Sequence, residues 1–258
     1  MVRKLASTLL LSAVLLAGVA LEAQAAAPKT ADEVIALNLE ARGGAAKVHA
    51  TKSARITGKM MMGPGMEAPF TIEWKRPQHF RMEFTVQGST AVQAYDGENA
   101  WMVMPFLGKT TPEPMPEEAK KQIVDQADLV EGDLVDYAKK GSTAELIGTE
   151  DFDGSPAYRV RITKKSGDVD DHFIDTEAHL EVGVKSKRTF NGQEVSVTTR
   201  VSGYKEVAGL VVPFAIEARP DGAPAGQNIT IEKYEFDVQL PDDRFTMPAA
   251  PAPAPAGQ

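Results

Sequence analysis

The sequence predicts a mainly β protein with helices, built on a single antiparallel sheet that is strongly curved or barrel-like. Three observations carry that reading. From residue 54 onward, apolar side chains recur at every second position, the period of a strand with one dry and one wet face. The turn pairs Asp96-Gly97, Asp153-Gly154 and Asn191-Gly192 separate such stretches and match the chemistry of tight hairpins. Roughly ten to twelve short strands joined this way favour one antiparallel sheet over a parallel βαβ arrangement.

The termini stand apart from that unit. Arg3 and Lys4 precede an apolar run over residues 9–19 and a small-residue step, Ala23-Gln24-Ala25. Residues 1–25 therefore read as a secretory signal peptide, cut after about Ala25, because the run falls short of the ~20 residues a span requires. Residues 26–247 form the folded domain. Residues 248–258, almost entirely Pro and Ala, cannot bury a face and read as a disordered tail.

Elements follow in order. Thr30 and Glu33 form a capping box ahead of Val34, Ile35, Leu37 and Leu39, and Gly43-Gly44 ends that helix. A short helical turn follows at residues 45–49. Ala54, Ile56, Gly58, Met60 and Met62 share one face of the first strand. Met66, Ala68, Phe70, Ile72 and Trp74 share one face of the second, with Glu67, Thr71, Glu73 and Lys75 on its wet side. Phe80, Met82, Phe84 and Val86 alternate along the third. Residues 105–116 read as a Pro-rich connection and 117–139 as a helical pair, with Ala119, Ile123, Ala127 and Val130 on one stripe and Leu134, Val135 and Tyr137 beyond Gly132. Strands resume at residues 157–163, 169–175, 185–190, 194–201, 211–219 and 228–236.

The composition narrows function. With 28 basic and 36 acidic residues the net charge is −8, which disfavours nucleic acid and polybasic membrane association. No cysteine is present, so disulfides, thiol nucleophiles, Cys-ligated metals and a lipidated N-terminal Cys are excluded. The export signal and absent Cys point to a periplasm. Neither a nucleophile elbow nor a zincin motif occurs, and Gly108-Lys109-Thr110 lacks the upstream Gly of a phosphate loop because Val103 stands there. No catalytic residue, cofactor or metal is assigned. Asp168, Asp170, Asp171, His172, Asp175, Glu177 and His179 carry suitable ligand types, but a strand over 169–175 and a turn over 175–179 would point them to opposite faces, as in a solvated hairpin.

Methionine is unevenly placed. Eight of the ten lie between residues 60 and 115. They allow two readings: a core that uses Met as filler, or a deformable apolar cavity for acyl chains or another apolar ligand.

The stretch Trp74-Lys75-Arg76-Pro77-Gln78-His79-Phe80 resembles the LolA/LolB-type lipoprotein-carrier family. Tyr95-Asp96-Gly97-Glu98-Asn99-Ala100-Trp101 with Pro105-Phe106 is similar too, as is Tyr234-Glu235-Phe236 followed by residues 242–248. The resemblance implies a half-open β-barrel with a helical lid over about residues 105–140, and a carrier that shields lipoprotein acyl chains on their way to the outer membrane. Arg76 matches the family's latch arginine. On this reading Ile56, Met60, Met62, Phe70, Ile72, Trp74, Phe80, Met82, Phe84, Met102 and Met104 bind acyl chains. Ile123, Ala127, Val130 and Leu134 are the lid's apolar stripe, loosely held so that cargo displaces it. Implied partners are lipoprotein acyl chains or other lipid, an inner-membrane donor and an outer-membrane acceptor. The alternatives are an envelope lipid-binding protein that senses or stores its ligand, and an enzyme at the acidic hairpin.

Overall fold

A computed structural model of the chain describes residues 27–249, apart from 64, 191 and 192 and the side chains of 188–193. The segment read as a signal peptide, the residues from 250 onward and the Asn191-Gly192 turn lie outside the described residues.

Helix α1 (Ala31–Ala41) starts as its capping box dictates: the Glu33 N–H donates to the Thr30 hydroxyl at 3.2 Å, and the Thr30 N–H to the Glu33 carboxylate at 3.1 Å. Helix α2 (Ala45–Ala50) follows. Then come β1 (Ser53–Gly63), β2 (Met66–Lys75), β3 (His79–Val86), β4 (Ser89–Asp96), β5 (Ala100–Met104) and β6 (Lys109–Pro114). Helix α3 (Glu117–Gln126) interrupts them. The second run is β7 (Thr143–Phe152), β8 (Ser155–Thr163), β9 (Val169–Asp175), β10 (Glu181–Phe190), β11 (Gln193–Ser202), β12 (Lys205–Val207), β13 (Leu210–Val212), β14 (Ala215–Pro220) and β15 (Gln227–Phe236).

Thirteen strands form one antiparallel sheet in the order β6-β5-β4-β3-β2-β1-β15-β14-β11-β10-β9-β8-β7, and β12 and β13 form a separate ribbon. The last strand thus closes against the first, joining two meanders edge to edge. Strands β6 and β7 do not pair, so the sheet is half-open. At the β1–β15 seam the register shifts between Thr57 and Gly58. A Cβ on Gly58 would stand 2.3 Å from the Thr230 carbonyl oxygen and 2.9 Å from the Phe70 ring, so only glycine permits this close approach.

Four expectations are corrected. The Pro-rich connection contains β6, which is an edge strand; Pro112 and Pro114 are tolerated there because one side of an edge strand needs no donor. The helical pair over 117–139 is one helix followed by turns, because Gly132 (φ 68°) and Asp136 (φ 52°) leave the helical region of backbone space. The acidic hairpin is solvated only in part: Asp168 and Glu177 are exposed, but Asp170 (1% exposed), Asp171 and His172 are buried, since β9 is an interior strand covered on both faces. Glu73, expected on the wet side, is also buried, because the chain after β15 crosses back over that surface. There Arg244 and Arg55 reach the Glu73 carboxylate at 2.8 and 3.0 Å, and the Trp101 indole donates to the Phe245 carbonyl at 2.7 Å.

Candidate functional site

The concave face is closed at both ends and open in the middle. At the β7–β9 end, Ala31, Val34 and Ile35 of α1 pack with Leu134 on Val160, Ile162 and Ile174. At the other end, Ile123 and Ala127 pack on Phe80, Met102, Met104 and Met115. Between these plugs lies a cavity of about 760 Å³, within the usual range for a ligand site.

Its apolar wall draws on both meanders. The first supplies Ile56, Met60, Met62, Phe70, Ile72, Phe80, Met82 and Phe84. The second supplies Val184, Val201, Ile216, Ile229, Ile231 and Phe236, with Leu210 and Val212 from the ribbon. None of the second set was expected from the sequence to line a cavity, although the strands β14 and β15 themselves were expected. Which face of those strands looks inward depends on β15 docking beside β1, and no local pattern records that. Met62 is 42% exposed and stands at the rim.

Three expected lining residues stand elsewhere. Trp74 is 1% exposed, its indole N–H donating to the Ala127 carbonyl at 2.7 Å beneath the cover. Met102 and Met104 are core beneath α3. The methionines divide by position: Met60, Met62 and Met82 line the cavity, whereas Met102, Met104 and Met115 fill core.

The cover has two parts. Helix α3 lies on the β3–β5 end through Ile123. Residues 127–141 then cross the concave face as a non-helical strap, burying Val130 and Val135 against the central core and Leu134 against α1. Charge and backbone contacts pin this strap. Arg42 donates to the Val130 carbonyl at 2.8 Å. Arg76 pairs with Glu131 while also donating to the Thr51 and Val48 carbonyls at 2.8 and 3.0 Å, which ties the strap to α2 and the residue that follows it. His49 stands 3.8 Å from Glu131 and 3.6 Å from Asp136. Asp133 pairs with Lys164 at 3.0 Å. Several contacts thus fix the strap against the concave face.

One pole of the cavity is polar, formed by Asn38, Arg42, Asp133, Asp170, His172, Glu181 and Tyr204. Burial disfavours a charged imidazole at His172, but the Glu181 carboxylate, 2.8 Å from Nδ1, and Asp133 outweigh it and raise its pKa to about 10. His172 Nε2 lies 3.6 Å from Asp133, beyond hydrogen-bonding range, and has no hydrogen-bond partner. Burial pushes the Asp133 carboxyl up, but the His172 and Lys164 cations overcome this and hold it well below the usual range. Asp128 behaves oppositely: burial outweighs its pairing with Lys140 and raises its pKa to about 6.

Asp133, Asp170 and His172 bring one possible metal-ligand atom each within 4.8 Å of one another. Lys164 stands 3.0 and 3.1 Å from the two carboxylates, however, and its ammonium already supplies the positive charge a metal would bring. Among the described residues no helix is long and apolar enough to cross a membrane.

No family model and no curated protein matches the sequence. Solved structures do match. A LolA superfamily protein from Nitrosomonas europaea superposes with a TM-score of 0.57 at 12% identity, covering 85% of this chain and 98% of its own. A DUF1329 family protein from Desulfovibrio piger gives 0.59 at 13% identity, with the same coverages of 85% and 98%. The fold is LolA-like. An outer membrane lipoprotein-sorting protein domain from Vibrio parahaemolyticus agrees, at 0.57 and 10% identity over 83% of this chain and 97% of its own. In this LolA-like frame the cavity occupies the concave side of the half-barrel, between the sheet and its cover.

Proposed function

We propose that the protein is a non-enzymatic carrier in the periplasm, taking acyl chains of lipoproteins or similar lipids into its cavity and moving them toward the outer membrane. The observation that carries this reading is a hollow of about 760 Å³ left unfilled between two well-packed plugs and walled chiefly by aliphatic, aromatic and Met side chains. Each methylene buried there gains about 0.8 kcal/mol without directional contacts, so such a wall accepts chains of varied length. The LolA-like fold, one of whose representatives is described as an outer membrane lipoprotein-sorting domain, supports the same class of cargo. Export through the residue 1–25 signal would place the carrier between an inner-membrane donor and an outer-membrane acceptor.

A second reading draws support from the strap. Its several anchors would slow exchange, which suits a protein that stores or senses lipid without delivering it. Mislocalised lipoproteins on depletion favour the carrier; normal localisation favours the store. The shared premise is tested by titrating purified protein with a fluorescent fatty acid. Saturable uptake is expected, weakened at least tenfold by Met82→Asp, and no uptake by the unaltered protein would dispose of both readings.

A further inference from the structure

Acyl chains need no charged partners, yet the cavity ends in a buried charged pole. Three features of that pole bear on what sits there. First, the carboxylate that faces it from the strap, Asp133, belongs to the cover, whereas His172 belongs to β9 and Lys164 directly follows β8, both on the sheet side. Second, His172 is 4% exposed and its Nε2 has no hydrogen-bond partner; the nearest carboxylate oxygen on the strap is 3.6 Å away. A buried N–H left in this state carries a desolvation cost that any well-placed acceptor would relieve. Third, Arg42 reaches the strap only through backbone carbonyls, at Val130 (2.8 Å) and Glu131 (3.4 Å), so its positive charge meets no carboxylate there. If the strap lifts, the groups left at the pole are Lys164 and His172 on the sheet side and Arg42 at the end of α1, against Asp170 and Glu181, and the balance turns positive.

We propose that Asp133 occupies the seat of an anionic headgroup, so that the preferred ligand is an acyl chain ending in an oxyanion, a carboxylate or a phosphate, which displaces the strap and bonds to His172 Nε2 and Lys164. This rests on the reading of the cavity as an acyl-chain site and adds the headgroup class. Both halves of the exchange are chemically matched: one carboxylate leaves two cationic donors and another oxyanion takes its place, so no charge is left buried without a partner. A neutral amphiphile would lift Asp133 off its partners and return nothing.

The test compares four ligands of equal chain length on the full mature protein: palmitate, monopalmitoyl-glycerol phosphate, methyl palmitate and hexadecylamine. Affinity is read by displacement of a fluorescent probe, and the His172 Nε2–H resonance is followed in 15N-labelled protein. Palmitate or the phosphate, or both, should bind at least tenfold more tightly than the ester, with the amine weakest, and should shift the His172 signal. Preference for palmitate alone identifies a free fatty acid, and for the phosphate alone a phospholipid-type headgroup. Asp133→Asn, with its fold checked by circular dichroism, should tighten the anionic ligands several-fold. Equal binding of ester and carboxylate, or a His172 resonance that does not move, overturns this inference and leaves acyl binding intact. Failure of all four to bind overturns both.

Discussion

The two parts of the cover are adjacent in sequence and held by different forces. Helix α3 and its C-cap attach through apolar side chains, Ile123 and Ala127, pressed on Met102, Met104 and Met115. The strap buries apolar side chains too, but its position is set by charge: Glu131 with Arg76, and Asp133 with Lys164 beside His172. Apolar contact is tolerant of sliding, whereas paired charges in a buried site are discrete, intact or broken. A cover built this way has a compliant end and a switched end. On the proposed carrier reading, cargo entering beneath the strap would have to outcompete ion pairs, and that requirement would give the cavity a means of choosing among lipids.

The largest effect that would break this contrast is at the switched end. Lys164→Met leaves Asp133 and the buried Asp170 facing an apolar side chain. A loss of about 3–5 kcal/mol is expected in urea unfolding. A loss under 1 kcal/mol would mean that charge does not position the strap. Next is the compliant end. Ile123→Ala should cost about 2–4 kcal/mol and hasten hydrogen exchange through α3 (Glu117–Gln126) while the amides of the strap stay protected. Equal acceleration in both would show one cooperative lid and erase the distinction.

A further test is the response to pH, whose lower step is the smallest effect. Asp128 has its pKa raised to about 6 in the folded protein, so its neutral form is the one the fold favours. Its contribution is full below the ordinary carboxylate pKa near 3.8 and is lost as pH rises through about 6. His172, raised to about 10, contributes fully below about 6.5 and loses its contribution as pH rises through about 10. The strap should therefore loosen modestly between pH 4 and 6 and more fully between pH 7 and 10, followed through fluorescence of Trp74, whose indole is bonded to Ala127. Asp128→Asn should remove the lower step only.

Much of this molecule was legible as sequence because much of it is local. The Thr30–Glu33 box, the alternation from Ala54 to Val86 and the Asp-Gly turns each act over a few residues, so their outcome is written where they stand. The first meander's share of the cavity wall was read from that alternation. Trp74, Met102 and Met104 carried the same pattern yet went to core, since a side chain facing inward lines a hollow only if nothing lies on top of it.

What tertiary structure alone decided is which inward faces are covered and which buried charges meet. The pairing of β15 with β1 brought the second meander's apolar face into the cavity wall across nearly the whole length of the chain. The strap's crossing set Asp133 beside Lys164 and His172, turning an acidic run that looks solvated in isolation into a buried, charge-matched pole. Periodicity fixes a side chain's direction within its own element. Burial and ionisation depend on the neighbours supplied by distant segments, and those are set only when the sheet curves and the cover docks.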